Sequence, residues 1–283
     1  MTLRLLHVSD LHFGRSSVAA QVEGVERMWE SEKFDAVVVS GDLSQRTRTR
    51  EFERAKRFVE DAGRCAPVLV VPGNHDTAWW MATLGMGSIP AMYARYRKYI
   101  CEELEPVLRV PGATIVGLNS AHGIRSFTLT TRPRDLSVVG ALRDEQWARA
   151  RREFDAAPPG DLKVLVFHHN LLRGDLSNRW GLSNRARGIT SAAATGADLV
   201  LCGHDHQAGI ECLDVNGRRM VVSCASTLTT RVRGGGPGSV NTFEVDEKTI
   251  QGGTLQWNDE SKSLARVMWA RYSRASAPST ASG

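Results

Sequence analysis

Five short apolar runs in this chain each stop at a cluster of histidine, aspartate or asparagine. Residues 3–8 are followed by Asp10 and His12, and residues 37–40 by Asp42. Residues 68–71 are followed by Asn74, His75 and Asp76, residues 164–167 by His168 and His169, and residues 199–202 by His204, Asp205 and His206. Valine-rich runs of this length, closed by glycine or polar residues, predict buried strands. Residues 18–29 and 49–62 carry apolar side chains at helical spacing between the first three runs. Strands alternating with helices predict βαβ units and a largely parallel sheet. Sites on such sheets form outside the carboxyl ends of the strands, so one edge collects all five clusters. Of the eight histidines, six fall in these clusters, which a scatter of core and surface histidines would not produce.

The rest of the chain is plainer. Residues 91–104 and 142–154 read as helices and 113–118 as a strand. After His206 the texture changes to short runs at 209–215, 219–224, 239–245, 249–257 and 263–272, which read as antiparallel strands. The first two flank Asn216-Gly217, a hairpin signal. Residues 1–272 are expected to form one domain. The small residues of 273–283 read as a disordered tail. With 42% hydrophobic and 24% charged residues the chain is ordinary globular material, neither disordered nor coiled coil. No run approaches the ~20 apolar residues of a membrane span. The opening MTLRLLHVSD carries no leader-like apolar region. Five cysteines without a CxxC pair predict a reduced, cytoplasmic protein.

The clustered residues have a chemistry. Carboxylates, one carboxamide and several imidazoles, with no thiolate, form a mixed oxygen and nitrogen donor set that suits Mn, Fe, Zn or Co. The donors are too many for one tetrahedral zinc. Two divalent ions roughly 3.5–4 Å apart, sharing a carboxylate, would use them all.

In order, Asp10-x-His12, Gly41-Asp42, Gly73-Asn74-His75-Asp76, His168 and Gly203-His204-x-His206 resemble the five blocks of the calcineurin-like metallophosphoesterases. Any one block is weak; five in order, each after an apolar strand, are specific. The resemblance covers residues 3 to 206. It implies an α/β fold, a four-layer α/β/β/α sandwich of two packed mixed sheets. It also implies roles: Asp10, His12 and His206 on one metal, Asn74, His168 and His204 on the other, Asp42 bridging. His75 would face the substrate as general acid, with Asp76 orienting it, while water held by the metals attacks phosphorus in line. The wording HVSDLHFG, SGDLSQR and VPGNHD, with Gly140-Ala141-Leu142 and Gln146-Trp147, is similar to the class III cyclic-nucleotide phosphodiesterase-like branch. Small phosphodiesters, cyclic nucleotides among them, are the implied substrates. In that branch a C-terminal extension can build a homodimer, a role open to residues 209–272.

Substrate contacts are less legible. His122 ends a strand, and His169 adjoins a metal block. Arg173, Arg179 and Trp180 sit on the loop after His168 and could meet phosphate or a base. Trp79-Trp80 read as core or interface before they read as a stacking surface. Two other readings share the five blocks. One is a double-strand-break repair type nuclease, since His168-His169-Asn170 slightly resembles its His-Gln-Asn. The formal net charge of +5 is mild for a nucleic-acid binder. The other is a scaffold of the same fold, which usually loses part of the metal set, whereas here every position is filled.

Overall fold

Residues 3–8 are mostly apolar, Arg4 and His7 aside, because both of their faces are largely buried. In the computed structural model, which describes residues 2–130, 135–173, 176 and 181–274, they form strand β1 (Leu3–Val8). Leu3 and Leu5 point to one apolar core, Leu6 and Val8 to another. Beside β1 lie β2 (Ala36–Val39) and β3 (Val68–Val70), both parallel to it in turn. On its other side β10 (Ser239–Val245), β11 (Thr249–Asn258) and β12 (Ser263–Ser273) run antiparallel, giving the order β12-β11-β10-β1-β2-β3. A second sheet is built from β4 (Val107–Val110), β5 (Ala113–Gly117), β6 (Leu162–Val166), β7 (Leu199–Cys202), β8 (Gly209–Val215) and β9 (Arg218–Cys224), in the order β4-β5-β6-β7-β9-β8.

Helices cover the outer faces. α1 (Ala19–Ser31) and α2 (Thr49–Cys65) press Val22, Val25, Trp29, Phe52 and Phe58 onto the first sheet. The α3 helix (Ile89–Tyr99) packs beside α2, adding Tyr96 to that core. α4 (Asp144–Asp155) and α5 (Arg185–Ala194) bring Trp147, Phe154 and Ala192 to the second sheet. Between the sheets Leu5, Val38, Leu69 and Phe243 of the first meet Ile115, Val164 and Leu199 of the second. This is the expected four-layer α/β/β/α arrangement of two mixed sheets.

Some expectations change. α3 ends at Tyr99 rather than running to residue 104, where Glu102 and Glu103 would oppose the negative end of the helix dipole. β9 pairs parallel with β7, so the antiparallel C-terminal strands divide between the sheets. Asn216 and Gly217 both have positive φ, 53° and 78°, as a tight hairpin of this hand requires. Cys212 stands opposite Val221 and Cys224 opposite Gly209; all five cysteines are free. Ser273 closes β12, and the Arg274 guanidinium donates to the Asp246, Gly160 and Asp161 carbonyls. Both belong to the folded part; 275–283 lie outside the described residues. Among the described residues no helix is long and apolar enough to cross a membrane.

Because β1, β2, β3, β6 and β7 are parallel within their sheets, their following loops share one edge. Backbone bonds stitch the loops together: Asp10 donates to Gly41 at 3.0 Å, His12 to Asp42 at 2.9 Å and Gly203 to His168 at 2.8 Å.

Candidate metal centre

Seven side chains from these loops form two adjoining groups. In the first, His12 Nε2 lies 2.9 Å from His206 Nε2, and Asp10 Oδ1 lies 3.1 Å from His206 Nε2. In the second, Asn74 Oδ1 lies 3.2 Å from His168 Nε2 and 3.1 Å from His204 Nδ1. Asp42 Oδ2 stands between them, 3.6 Å from His12 Nε2 and 3.2 Å from His168 Nε2.

These distances fit metal ions. Donors ~2.1 Å from one ion and at right angles to each other lie ~3.0 Å apart. Asp10 Oδ1 is buried and makes no hydrogen bond. The far nitrogens set the tautomers: His168 Nδ1 donates to the Ser40 carbonyl at 2.8 Å and His206 Nδ1 to that of Arg231 at 3.2 Å. Each leaves its Nε2 lone pair facing the cluster. Asp42 Oδ1 is taken by the His75 backbone N–H at 2.8 Å, and Asp10 Oδ2 by that of His204 at 2.9 Å.

The backbone is bent to aim these groups. Asp10, His12, Asp42, His204 and His206 all have positive φ, between 40° and 73°. Left-handed geometry is costly for such residues and concentrates at functional sites.

Burial works against ionising Asp10, but His206 and His12 hold its carboxyl well below the usual carboxylate range. Burial likewise opposes a charge on His168, yet the Asp42 carboxylate outweighs it and carries the imidazole up to about 10. Two buried carboxylates thus call for positive charge between them, the charge divalent ions bring.

His75 and Asp76 follow Asn74 in a short 3₁₀ turn. The His75 ring stands edge-on to His12 at 4.7 Å, and its Nδ1 lies 2.8 Å from the Gln45 carbonyl. That carbonyl, not Asp76, orients the imidazole, which corrects the expectation from sequence. Asp76 is buried and accepts N–H groups from Leu43, Ser44 and Gly73, tying the loop after β2 to the loop after β3. Burial and then the Asp42 charge raise its pKa to about 6.

An inner hollow of about 200 Å³ is lined by Asp42, Asn74, His75, His204, His206, Asp135, Val138 and Arg231. It shares Asn74, His75, Val138 and Arg231 with an outer cleft of about 730 Å³. Gln45, Arg46, Arg48, Trp79 and Trp80 complete much of the outer wall. Trp80 is 54% exposed, so it is not core. His169 is buried behind the second donor group, with Nδ1 2.8 Å from Ser120 Oγ and Nε2 2.8 Å from the Val138 carbonyl. Both its nitrogens are engaged, which makes it a support for the site. His122 packs edge-on against Phe127, outside the cleft wall. Arg173 lines a separate small pocket with Asp205 and Gln207. Arg179 and Trp180 lie outside the described residues. Sequence reasoning passed over Arg46, Arg48 and Arg231. The arginine-rich run after Gly41-Asp42 was the available signal for the first two; Arg231 had none.

Three comparisons bear on the site. The family profile described as calcineurin-like phosphoesterase matches residues 3–208. A probable cyclic nucleotide phosphodiesterase from Synechococcus sp. is 27% identical over 224 residues, covering 75% of this chain and 76% of that one. A glycerophosphodiester phosphodiesterase from Enterobacter lignolyticus is 33% identical over 87 residues, 25% of this chain and 29% of its own. Among solved structures, a purple acid phosphatase from yellow lupin superposes with a TM-score of 0.67 at 11% identity. It covers 97% of this chain, which spans 54% of the lupin enzyme.

Proposed function

Since the chain belongs to the calcineurin-like phosphoesterase family, we propose that it is a two-metal phosphodiesterase acting on small diesters, cyclic nucleotides among the candidates. Asp10, His12 and His206 would hold one ion, Asn74, His168 and His204 the other, with Asp42 shared. The observation that carries this reading is Asp42 Oδ2, one carboxylate oxygen that faces both donor groups at 3.6 and 3.2 Å. Bound there, two divalent ions supply Lewis-acid charge to the phosphoryl oxygens and acidify the attacking water.

The protein's own residues do the rest. The inner hollow admits one phosphoryl group beside the donors. Water adds to phosphorus, the ester P–O bond breaks, and the departing alkoxide must gain a proton. His75 would give it: its Nδ1–H is held by the Gln45 carbonyl, which supports Nε2 as the nitrogen that passes the proton on. The name of the Synechococcus relative supports a diester substrate. The Asn170 side chain, which suggested a nuclease, is buried and donates to the Leu172 carbonyl at 2.6 Å, a loop support.

The test is hydrolysis of bis-p-nitrophenyl phosphate, p-nitrophenyl phosphate and cyclic AMP, by protein stripped of metal and then given Mn²⁺. The expected result is diester turnover that requires Mn²⁺ and is lost in Asp42→Asn. Monoester turnover above diester turnover would overturn the diesterase assignment.

A further inference from the structure

The outer cleft carries more positive charge than one phosphodiester uses. Arg46, Arg48 and Arg231 line it, and none of its lining residues is a carboxylate. Among the described residues no carboxylate stands within ion-pair distance of these three guanidiniums. The nearby acid, Glu51, is committed elsewhere: it accepts the backbone N–H groups of Gln45, Arg46 and Arg48. Among the described residues the Arg231 guanidinium makes one long contact, 3.5 Å from Nη1 to Gln45 Oε1.

The placement ties this charge to the site. The Gln45 carbonyl that orients His75 is one residue before Arg46. The Arg231 carbonyl receives His206 Nδ1. Arg231 lines both the inner hollow and the outer cleft, and Arg46 and Arg48 line the outer cleft that opens from it. Trp79 and Trp80, their rings 5.9 Å apart and edge-on, form another part of the same wall. A half-exposed indole is an apolar plane waiting for a planar partner, and stacking on it tolerates any base.

We propose that this cleft selects phosphodiesters that carry a second phosphate and an aromatic base, in the manner of a short 5′-phosphorylated oligonucleotide. The proposal rests on the diesterase reading and narrows it. The inner hollow takes the scissile phosphate, the arginines the second one, and Trp80 the base. Guanidinium forks match phosphate oxygens and discriminate strongly against a neutral hydroxyl in the same place.

The experiment compares two probes with the same scissile bond, the dinucleotides ApA and 5′-phosphorylated ApA, in Mn²⁺. The wild-type protein should favour the phosphorylated probe in kcat/KM on the order of 10–100-fold, the strength of hydrogen bonds to a charged group. In the triple variant Arg46→Ala, Arg48→Ala, Arg231→Ala that ratio should fall to near one; because it is a ratio, any general loss of rate cancels. Trp80→Ala should lower kcat/KM on both probes and leave the ratio standing. A wild-type ratio near one, or a preference that survives the triple variant, overturns the proposal. Absence of turnover on any diester overturns the diesterase reading instead. Calorimetric binding of the two dinucleotides then decides the cleft on its own, by the same ratio.

Discussion

Among the described residues the His75 imidazole makes one hydrogen bond, from its Nδ1 to the Gln45 carbonyl, and meets the donors at the edge of the His12 ring, while the N–H that holds Asp42 Oδ1 belongs to its backbone and survives truncation of the side chain. Removing it should therefore leave the metal centre assembled. His75→Ala is expected to keep its full metal content, read by elemental analysis, and to lose on the order of 10²–10⁴-fold in kcat. The loss should grow as the leaving group becomes a poorer one; equal losses on p-nitrophenol and alkanol esters would remove it as the acid. His7 is a histidine with the opposite history. It is fully buried in β1, with Nε2 2.9 Å from Ser40 Oγ, and burial pushes its pKa down to about 3. The unfolded chain protonates this residue near 6.5, so between 6.5 and about 3 the unfolded state binds the extra proton. Stability conferred by a neutral His7 is complete above 6.5 and falls as pH drops through that window. The slope is about 1.4 kcal/mol per pH unit for one proton. Urea unfolding of the metal-free protein at pH 6, 5 and 4 (values set roughly inside this window) should show this slope relative to His7→Gln, which keeps a polar partner for Ser40.

Elements, more than single residues, decide where the polar groups end. The strands were legible because β1, β2, β3, β6 and β7 are largely buried on both faces and leave runs that are apolar but for Arg4, His7 and Lys163. The candidate metal residues were legible because each follows such a run directly. α5 was not: its sequence, RARGITSAAA, has a central glycine and no broad apolar stripe, so only packing against the second sheet reveals it. The same limit hid the division of the last five strands, since a strand's pattern names its buried face but not its neighbour. Asp76 was read as a partner of His75, but its three backbone bonds serve the loops instead. Close loop packing also explains Gly203. A Cβ there would stand 1.9 Å from Ser9 Oγ and 2.4 Å from Asp10 Oδ2, so a side chain must part the loop after β1 from the loop after β7. Gly203→Ala should cost about 1–3 kcal/mol of stability, as overpacking does. It should also displace Asp10 and weaken metal retention. Thermal unfolding and metal content should fall together; unchanged metal content would show that the loop yields without moving the ligand.

At the scale of the whole molecule, each donor group takes ligands from both sheets. Asp10 and His12 leave β1 of the first sheet, while His206 follows β7 of the second. Asn74 follows β3, while His168 and His204 follow β6 and β7. Elsewhere the sheets meet through the non-directional apolar layer of Leu5, Val38, Ile115 and Val164 and through a few hydrogen bonds, from Asn241 Nδ2 to Ser223 Oγ at 2.9 Å and to the Cys224 carbonyl at 3.1 Å, and from the Tyr272 hydroxyl to the Ile210 carbonyl at 3.0 Å. With ions bound, the candidate metal centre would add a strong directional joint at one edge of the sandwich. Ions that bind only the folded chain stabilise it by mass action, about 2.7 kcal/mol at a free concentration of 100 times Kd. Chelation should therefore lower the unfolding temperature, and Mn²⁺ should restore it. The joint makes a sharper demand on hydrogen exchange. Loss of metal should speed exchange in the loops after β1 and β3 and, to a similar degree, in those after β6 and β7, because each ion lets go of both. The far edge, where Arg274 closes on the Gly160 and Asp161 carbonyls, should keep its protection. Faster exchange confined to the loops of one sheet would mean that the ions are held by that sheet alone, contrary to the shared position of Asp42.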